Sequence, residues 1–417
     1  MTFVPPPASN GRKNIVIVGG SYAGLWAINQ LTEKTHKTHR VILIEQHTHY
    51  NYLFAFPRFA TVPGYEHKAF IPFRGLVNQE KFPGDPVVVC AKVVDVRSDR
   101  VIVEKTIAEG EEGEGKEGER EEIEFEYLVL CSGTKLVPPA NVPTMGKPAG
   151  IQWFRDHQAK VKNAEKVVLV GAGAVGVQMA ADIKDYYPNK SVTLIHSRTH
   201  LMNRFHPKLH EMVAERFKEL GVEVILNDRV KIPEGGFPSG GPTFDVELSS
   251  GRKVPTDFVI PTIGMTPNSA YMKHLTPSSI LTSPWGFISI KPTLQISDPK
   301  YPHIFVMGDI ANTTHQKAAR PAYYHATTVA NNIGKLIDAR AGKGEKEGEV
   351  KLTELEEYPA VPTGILLSQG ITRRLDFWDP EKEGDEPKYE WKLNSQENYG
   401  IDDVWARWAP GLTDYWE

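Results

Sequence analysis

NIVIVGGSYAG, residues 14–24, is an apolar run that enters a glycine turn and leaves it as a helix. A short unbroken apolar run bounded by glycine reads as a strand buried on both faces, the kind found in parallel sheets. The glycines allow a tight turn and close approach of the backbone to a pyrophosphate. The helix that follows offers that anion its unsatisfied amides and the positive end of its dipole. Ser21 stands at the middle position, where glycine is usual. The donors that matter there are main-chain and a hydroxyl can itself bond a phosphate oxygen, so the change reads as tolerated. RVILIE (40–45) supplies the returning strand, and Glu45 at its end can accept from both hydroxyls of a ribose.

The chain then repeats the device. KVVLVGAGAVG (166–176) carries Gly171, Gly173 and Gly176 at the regular spacing, and SVTLIH (191–196) returns. No acid ends this second strand; His196, Ser197 and Arg198 stand there instead. Without a carboxylate to repel it, a 2′-phosphate is admissible and Arg198 can bond it, so NADPH is expected to be accepted alongside NADH. A third apolar strand, in YPHIFVMGDIAN (301–312), ends in Gly308-Asp309, where the carboxylate can accept from a ribitol hydroxyl. The expected fold class is α/β: two Rossmann-like, doubly wound dinucleotide-binding domains plus a C-terminal α+β segment.

Composition bounds the rest. At 417 residues the chain exceeds one compact core, so two or three domains are expected. A net charge of −4 argues against an extended nucleic-acid surface, and no nucleic-acid partner is expected. Two cysteines, Cys90 and Cys131, far apart in sequence, make a disulfide framework improbable and a reducing compartment the default. No apolar run approaches bilayer length, and the first residues lack a secretory or transit pattern. Thr2 after Met1 excludes N-myristoylation, so a cytoplasmic address is expected, with peripheral contact with an organelle membrane left open. Residues 1–12 read as a disordered tail and EGEEGEGKEGEREE (109–122) as a disordered, solvated hairpin insertion. AGKGEKEGE (341–349) sets off the C-terminal segment, 350–417, which carries a strand pattern in GILLSQG and five tryptophans read mainly as packing. His47 and His49 beside Glu45 make a poor metal site, and no metal is expected.

The order GGSYAG, Glu45, LVLCSG, GAGAVG, PTIG, FVMGD resembles the glutathione-reductase-like FAD oxidoreductases with two dinucleotide domains. Within them it is most similar to the apoptosis-inducing-factor-homologous (AMID-like), ferroptosis-suppressor group, relatives of the type II NADH dehydrogenases. HTHYNYLFAFPR (47–58), PTIGMTPNSAYM (261–272) and GDIANTTHQKAARPAYYHATTVANNI (308–333) carry that resemblance. It implies an FAD domain built from 13–145 and 285–340, and an NAD(P)H domain from 146–284. It also implies that Gly19, Gly20, Ser21, Tyr22, Ala23 and Gly24 hold the FAD pyrophosphate, with Glu45 on the adenosine ribose. Arg58 would contact the FAD, Ala91 would offer its backbone to the adenine, and Gly308-Asp309 would bind the ribitol. Gly171, Gly173, Gly176, His196, Arg198 and Gly264 would serve the second nucleotide. Gln178 stands where relatives usually carry Glu, so a proton or charge role there is lost.

The activity the resemblance implies is oxidation of NADH or NADPH by FAD, then reduction of a quinone-like small-molecule acceptor. Residues 46–89 contain no cysteine, which rejects the disulfide chemistry of sister families. Reduced flavin carries negative charge, and a helix dipole supplies only ~0.3–1 kcal/mol against it. Lys317, just before the helix expected near Ala318, is the cation in place and is expected to act as an electrostatic stabiliser. His325, two helical turns on, can reach the acceptor pocket. Two alternatives stay open: a reductase for an electron-transfer protein or a small metabolite, and an NAD(P)H-responsive flavoprotein binding module. Oligomeric state is not legible.

Overall fold

The computed structural model describes residues 11–77, 81–82, 84–106, 119–239, 241–282, 284–342 and 355–417. The first quoted stretch forms the strand Lys13–Val18 and the helix Tyr22–Thr35. That strand lies inside a seven-stranded sheet ordered Ile304–Val306, Tyr127–Leu130, Lys13–Val18, His39–Glu45, Val87–Val96, Arg100–Lys105, Arg120–Glu124. The first five strands pair in parallel and the last two turn back antiparallel. Residues 304–306 therefore close a sheet begun almost 300 residues earlier, which places Gly308-Asp309 beside the first turn. A four-stranded parallel sheet, ordered Glu223–Ile225, Ser191–Ile195, Lys166–Val170, Phe258–Pro261, carries the second turn and its helix Ala174–Tyr186. Both central strands are buried on both faces, as unbroken apolar runs require.

An antiparallel ribbon, Thr134–Leu136 with Met265–Pro267, passes between the two sheets. The helix Lys147–Asn163 spans from the first unit to the second sheet. Its His157 and Gln158 side chains bond the Ala60 and Phe59 carbonyls on one side, and the His157 ring meets Phe258 of the second sheet on the other. The C-terminal segment forms an antiparallel sheet, Gly364–Ser368, Arg374–Trp378 and Lys388–Lys392, followed by the helix Ile401–Trp408.

Two sequence expectations shift. Arg12, assigned to a disordered tail, is fixed by an ion pair with Asp85 and a 2.8 Å bond to the His36 carbonyl. Arg120–Glu122, the end of the charged run, are strand, because Arg120 and its neighbours pair with Arg100–Lys105 and backbone pairing does not require apolar side chains. Residues 107–118, which include most of that run, residues 1–10 and residues 343–354 lie outside the described residues.

The segment after Ile401–Trp408 lies against the short helix Phe73–Leu76. A Cβ on Gly75 would fall 2.6 Å from Leu412 Cδ1 and 2.8 Å from Ala409 Cβ, so this contact needs glycine. Gly75→Val should destabilise the fold by ~1–3 kcal/mol through overpacking. Gly334, in a helix with open space before it, should gain ~0.5–1 kcal/mol on substitution by Ala. Urea unfolding of both variants checks the contrast.

Candidate functional site

At the first turn, Gly19 adopts φ +100° and a Cβ on Gly24 would lie 1.8 Å from the Gly19 carbonyl oxygen. The helix can sit this close to the strand end only without side chains at these positions. The first intrahelical bond runs from Leu25 N–H to the Ser21 carbonyl, so the amides ahead of it have no acceptor within the helix. Ser21 occupies the N-cap, yet its hydroxyl makes no capping bond. Gly20 N–H donates to Glu45 Oε2 at 2.5 Å, and His47 N–H donates to Oε1 at 3.0 Å. Burial pushes the Glu45 carboxyl up, but these bonds and the His47 ring outweigh it and hold the pKa below the carboxylate range. Ala91 is buried in the neighbouring strand, next to Cys90, which is the register partner of Glu45.

Gly308 meets this turn from the other side; a Cβ there would come within 2.8 Å of Ala23 Cβ. Asp309 is partly buried, and its carboxylate makes no hydrogen bond among the described residues. Burial raises its pKa, partly offset by the charge of Lys317. Lys317 donates to the Ala311 carbonyl and lies 4.6 Å from the centre of the Phe287 ring. Burial lowers its pKa; Asp309 opposes that shift and Arg204 adds to it.

Lys317 opens into a cleft of about 1990 Å³. One wall is the second turn, Gly171 to Ala174, with His196, Arg204 and Gly264. Another is the segment 312–320, which leads into the helix Ala319–Arg340. The third is the C-terminal sheet, including Trp378 and Trp391. The second turn repeats the geometry of the first: Gly171 has φ +112°, and a Cβ on Gly176 would lie 1.9 Å from the Gly171 carbonyl oxygen. Gly173 faces open space. His196 Nδ1 accepts from Ala172 N–H at 3.3 Å, which holds the ring at the strand end.

Three residues given roles from the sequence have surroundings that differ from those expected, although Arg58 does line the cleft. Arg58 is spent inside the protein: it pairs with Asp182 at 2.8 and 3.0 Å, and its remaining donors go to Ser368 Oγ and to the carbonyls of Gly370, Ile371, Gln396 and Glu397. It ties helix Ala174–Tyr186 to the C-terminal sheet and keeps no donor for a flavin. His325 is 2% exposed and does not line the cleft. Its Nδ1 accepts from Gly308 N–H and its Nε2 bonds His315 Nδ1 at 3.0 Å; burial lowers its pKa to about 3. Arg198 is exposed beyond the strand end and is not part of the cleft wall, whereas Arg204, overlooked in the sequence, is. No periodicity marks a loop arginine as inward. Gln178 is buried one helical turn before Asp182, and its amide Nε2 has no partner among the described residues. No group of three His, Cys, Asp or Glu side chains among the described residues is arranged to hold a metal.

Residues 13–330 match the family described as "Pyridine nucleotide-disulphide oxidoreductase". This chain belongs to that family. The match covers both turns and Asp309, and the family uses FAD with NAD(P)H. "Fe-regulated protein 8" of Mycosarcoma maydis is 35% identical over 88% of this chain and 89% of its own length. Ferroptosis suppressor protein 1 of Mus musculus is 27% identical over 81% of this chain and 84% of its own. Among solved structures, the sulfide:quinone oxidoreductase of Aquifex aeolicus shares the fold at 16% identity, with a TM-score of 0.69, covering 96% of this chain and 93% of that one. NDH2 of Plasmodium falciparum in complex with NADH does so at 12% and 0.66, covering 96% and 99%. The disulphide of the family description has no counterpart here. Cys90 and Cys131 form no disulfide, and burial pushes the Cys131 thiol far up.

If Arg58 is a clasp, Arg58→Met should cost ~3–5 kcal/mol by leaving Asp182 buried and unpaired. The double variant Arg58→Met/Asp182→Leu should recover most of that in urea unfolding. It should also bind as much FAD per chain as the parent; a loss of FAD in the well-folded double variant would return Arg58 to the cofactor.

Proposed function

We propose that this chain takes hydride from NADH or NADPH onto bound FAD and passes the electrons to a quinone-type small molecule. The observation that carries the reading is the continuous line from Glu45 and the first turn, through Gly308-Asp309 and Lys317, into a cleft walled by the second turn. The amides ahead of Leu25, the Ser21 hydroxyl and the unpartnered Asp309 carboxylate fit an extended nucleotide with a pyrophosphate and a polyol. Bound there, FAD supplies the two-electron chemistry.

The chain's own residues do the positioning. Gly20 and His47 hold the Glu45 carboxylate ionised, so it can accept from ribose hydroxyls. Asp309 accepts from a polyol hydroxyl. Lys317 is fixed by the Ala311 carbonyl and the Phe287 ring at a helix start that contains no acid, where positive charge is left to meet a developing anion. Gly173 leaves room for the donor's pyrophosphate, and the orphaned Gln178 amide donates to a neutral acceptor group such as a carboxamide oxygen. The acceptor follows the donor into the same cleft, whose volume exceeds the ~300–1,000 Å³ of a typical single-ligand pocket.

Asp309→Ala should purify without yellow colour, read as FAD released on boiling. Lys317→Met should keep its FAD but bleach it about a hundredfold more slowly with NADPH in stopped flow. An unchanged rate removes Lys317 from the mechanism. Arg204→Ala should raise KM for NADPH well above its effect on NADH, while Arg198→Ala leaves both near the parent values; steady-state assays with a soluble quinone decide between the two arginines.

A further inference from the structure

Two imidazoles stand between the Gly308 amide and the C-terminal segment. His325 is buried on the helix Ala319–Arg340, and His315, half-buried in the loop before it, lines the cleft. Their ring centres lie 5.2 Å apart with the planes within 7°. The Tyr358 ring meets both edge-on, 5.1 and 5.4 Å from their centres. Its segment is strapped to the same helix, since Asn332 bonds both the amide and the carbonyl of Glu356.

The hydrogen bonds along this ladder leave one arrangement of protons. Gly308 N–H donates to His325 Nδ1 at 3.4 Å, so the neutral ring carries its hydrogen on Nε2. That hydrogen donates to His315 Nδ1 at 3.0 Å, which leaves the His315 hydrogen on Nε2, toward the Pro359 carbonyl. The Val361 amide also points at this nitrogen, 3.2 Å away. No ring nitrogen is left for another proton. One more would set donor against donor at the 3.0 Å contact.

The surroundings offer a proton no compensation. Burial, then the neighbouring His315 and Lys317, lowers the His325 pKa to about 3. Burial also lowers that of His315, with the Pro359 carbonyl opposing and Lys317 adding. Tyr358 brings ring edges, and its hydroxyl bonds Thr314. Asp309, on the far side of Gly308, acts on Lys317.

We propose that His315 and His325 are positioning residues for FAD: the neutral ladder holds Gly308 against the first turn and Asp309 at the polyol, and a proton taken up from solvent opens it and releases the cofactor. The proposal rests on the FAD reading above. Gly308 has φ +70° and packs so tightly on the turn that a Cβ would come within 2.8 Å of Ala23 Cβ, so a shift of its amide moves the carboxylate beside it. A ring held neutral in the fold takes up its proton on release. Its contribution is therefore complete above the ordinary histidine pKa of ~6.5 and falls as pH drops from there toward about 3. One such group allows a loss of at most about tenfold in affinity per pH unit.

The test is the rate of flavin release from the FAD-loaded protein between about pH 8 and about pH 5, read by flavin fluorescence, within the range where circular dichroism shows each chain folded. The parent should release FAD at least about tenfold faster at the acid end. His315→Asn keeps an oxygen acceptor in place of Nδ1 and cannot take a proton; it should hold FAD nearly equally at both ends. It leaves Asp309, His49 and His157 untouched, so an acid response that comes from them persists in it. His325→Leu removes the acceptor from Gly308 and should release FAD quickly at every pH; if it does not fold, His315→Asn decides alone. Equal release by the parent at both ends, or the parent's acid response in folded His315→Asn, overturns the ladder and leaves the FAD reading standing. A protein that carries no FAD at any pH overturns both.

Discussion

The architecture depends on two places where a helix starts closer to a strand end than any side chain permits. At Gly24 over Gly19 and at Gly176 over Gly171, a methyl group would sit within 2 Å of a carbonyl oxygen. That closeness gathers backbone amides around a point just beyond the strand, a geometry by which uncharged main chain can hold a diphosphate. Everything else in the molecule arranges what lies between those two points.

Three polar clusters make that arrangement rigid. Glu45 binds Gly20 and His47, and so fixes the far end of the first turn. Arg58 and Asp182 join a helix of one unit to a helix of the other with the C-terminal sheet laid over both, their side chains 1% and 0% exposed. His315 and His325 stack nearly parallel and pin the loop before helix Ala319–Arg340 to the Gly308 amide. Buried pairs of this kind add little net stability over apolar packing, but they penalise every other relative placement of the parts they join. A cleft formed by three independent walls needs that penalty.

The chain departs from its family description at the disulphide. Cys90 and Cys131 form no disulfide, and neither belongs to a cysteine pair beside the first turn. Gln178, buried on the helix after the second turn, carries an amide donor with no partner among the described residues.

The sequence alone was enough for the two strand–turn–helix units, Glu45, the Gly-Asp strand end and the position of Lys317 ahead of its helix. Each of these is a local pattern in which strand periodicity and glycine placement leave one solution. It was not enough for Arg58, whose partner is 124 residues away, nor for His325, whose burial depends on a loop that folds back over it. It named Arg198 and passed over Arg204, which lines the cleft, because loop side chains obey no period that says which way they point. Local spacing decides where the backbone can approach a ligand. Which charged side chains reach that ligand is decided by contacts between distant segments, and only the folded chain brings those together.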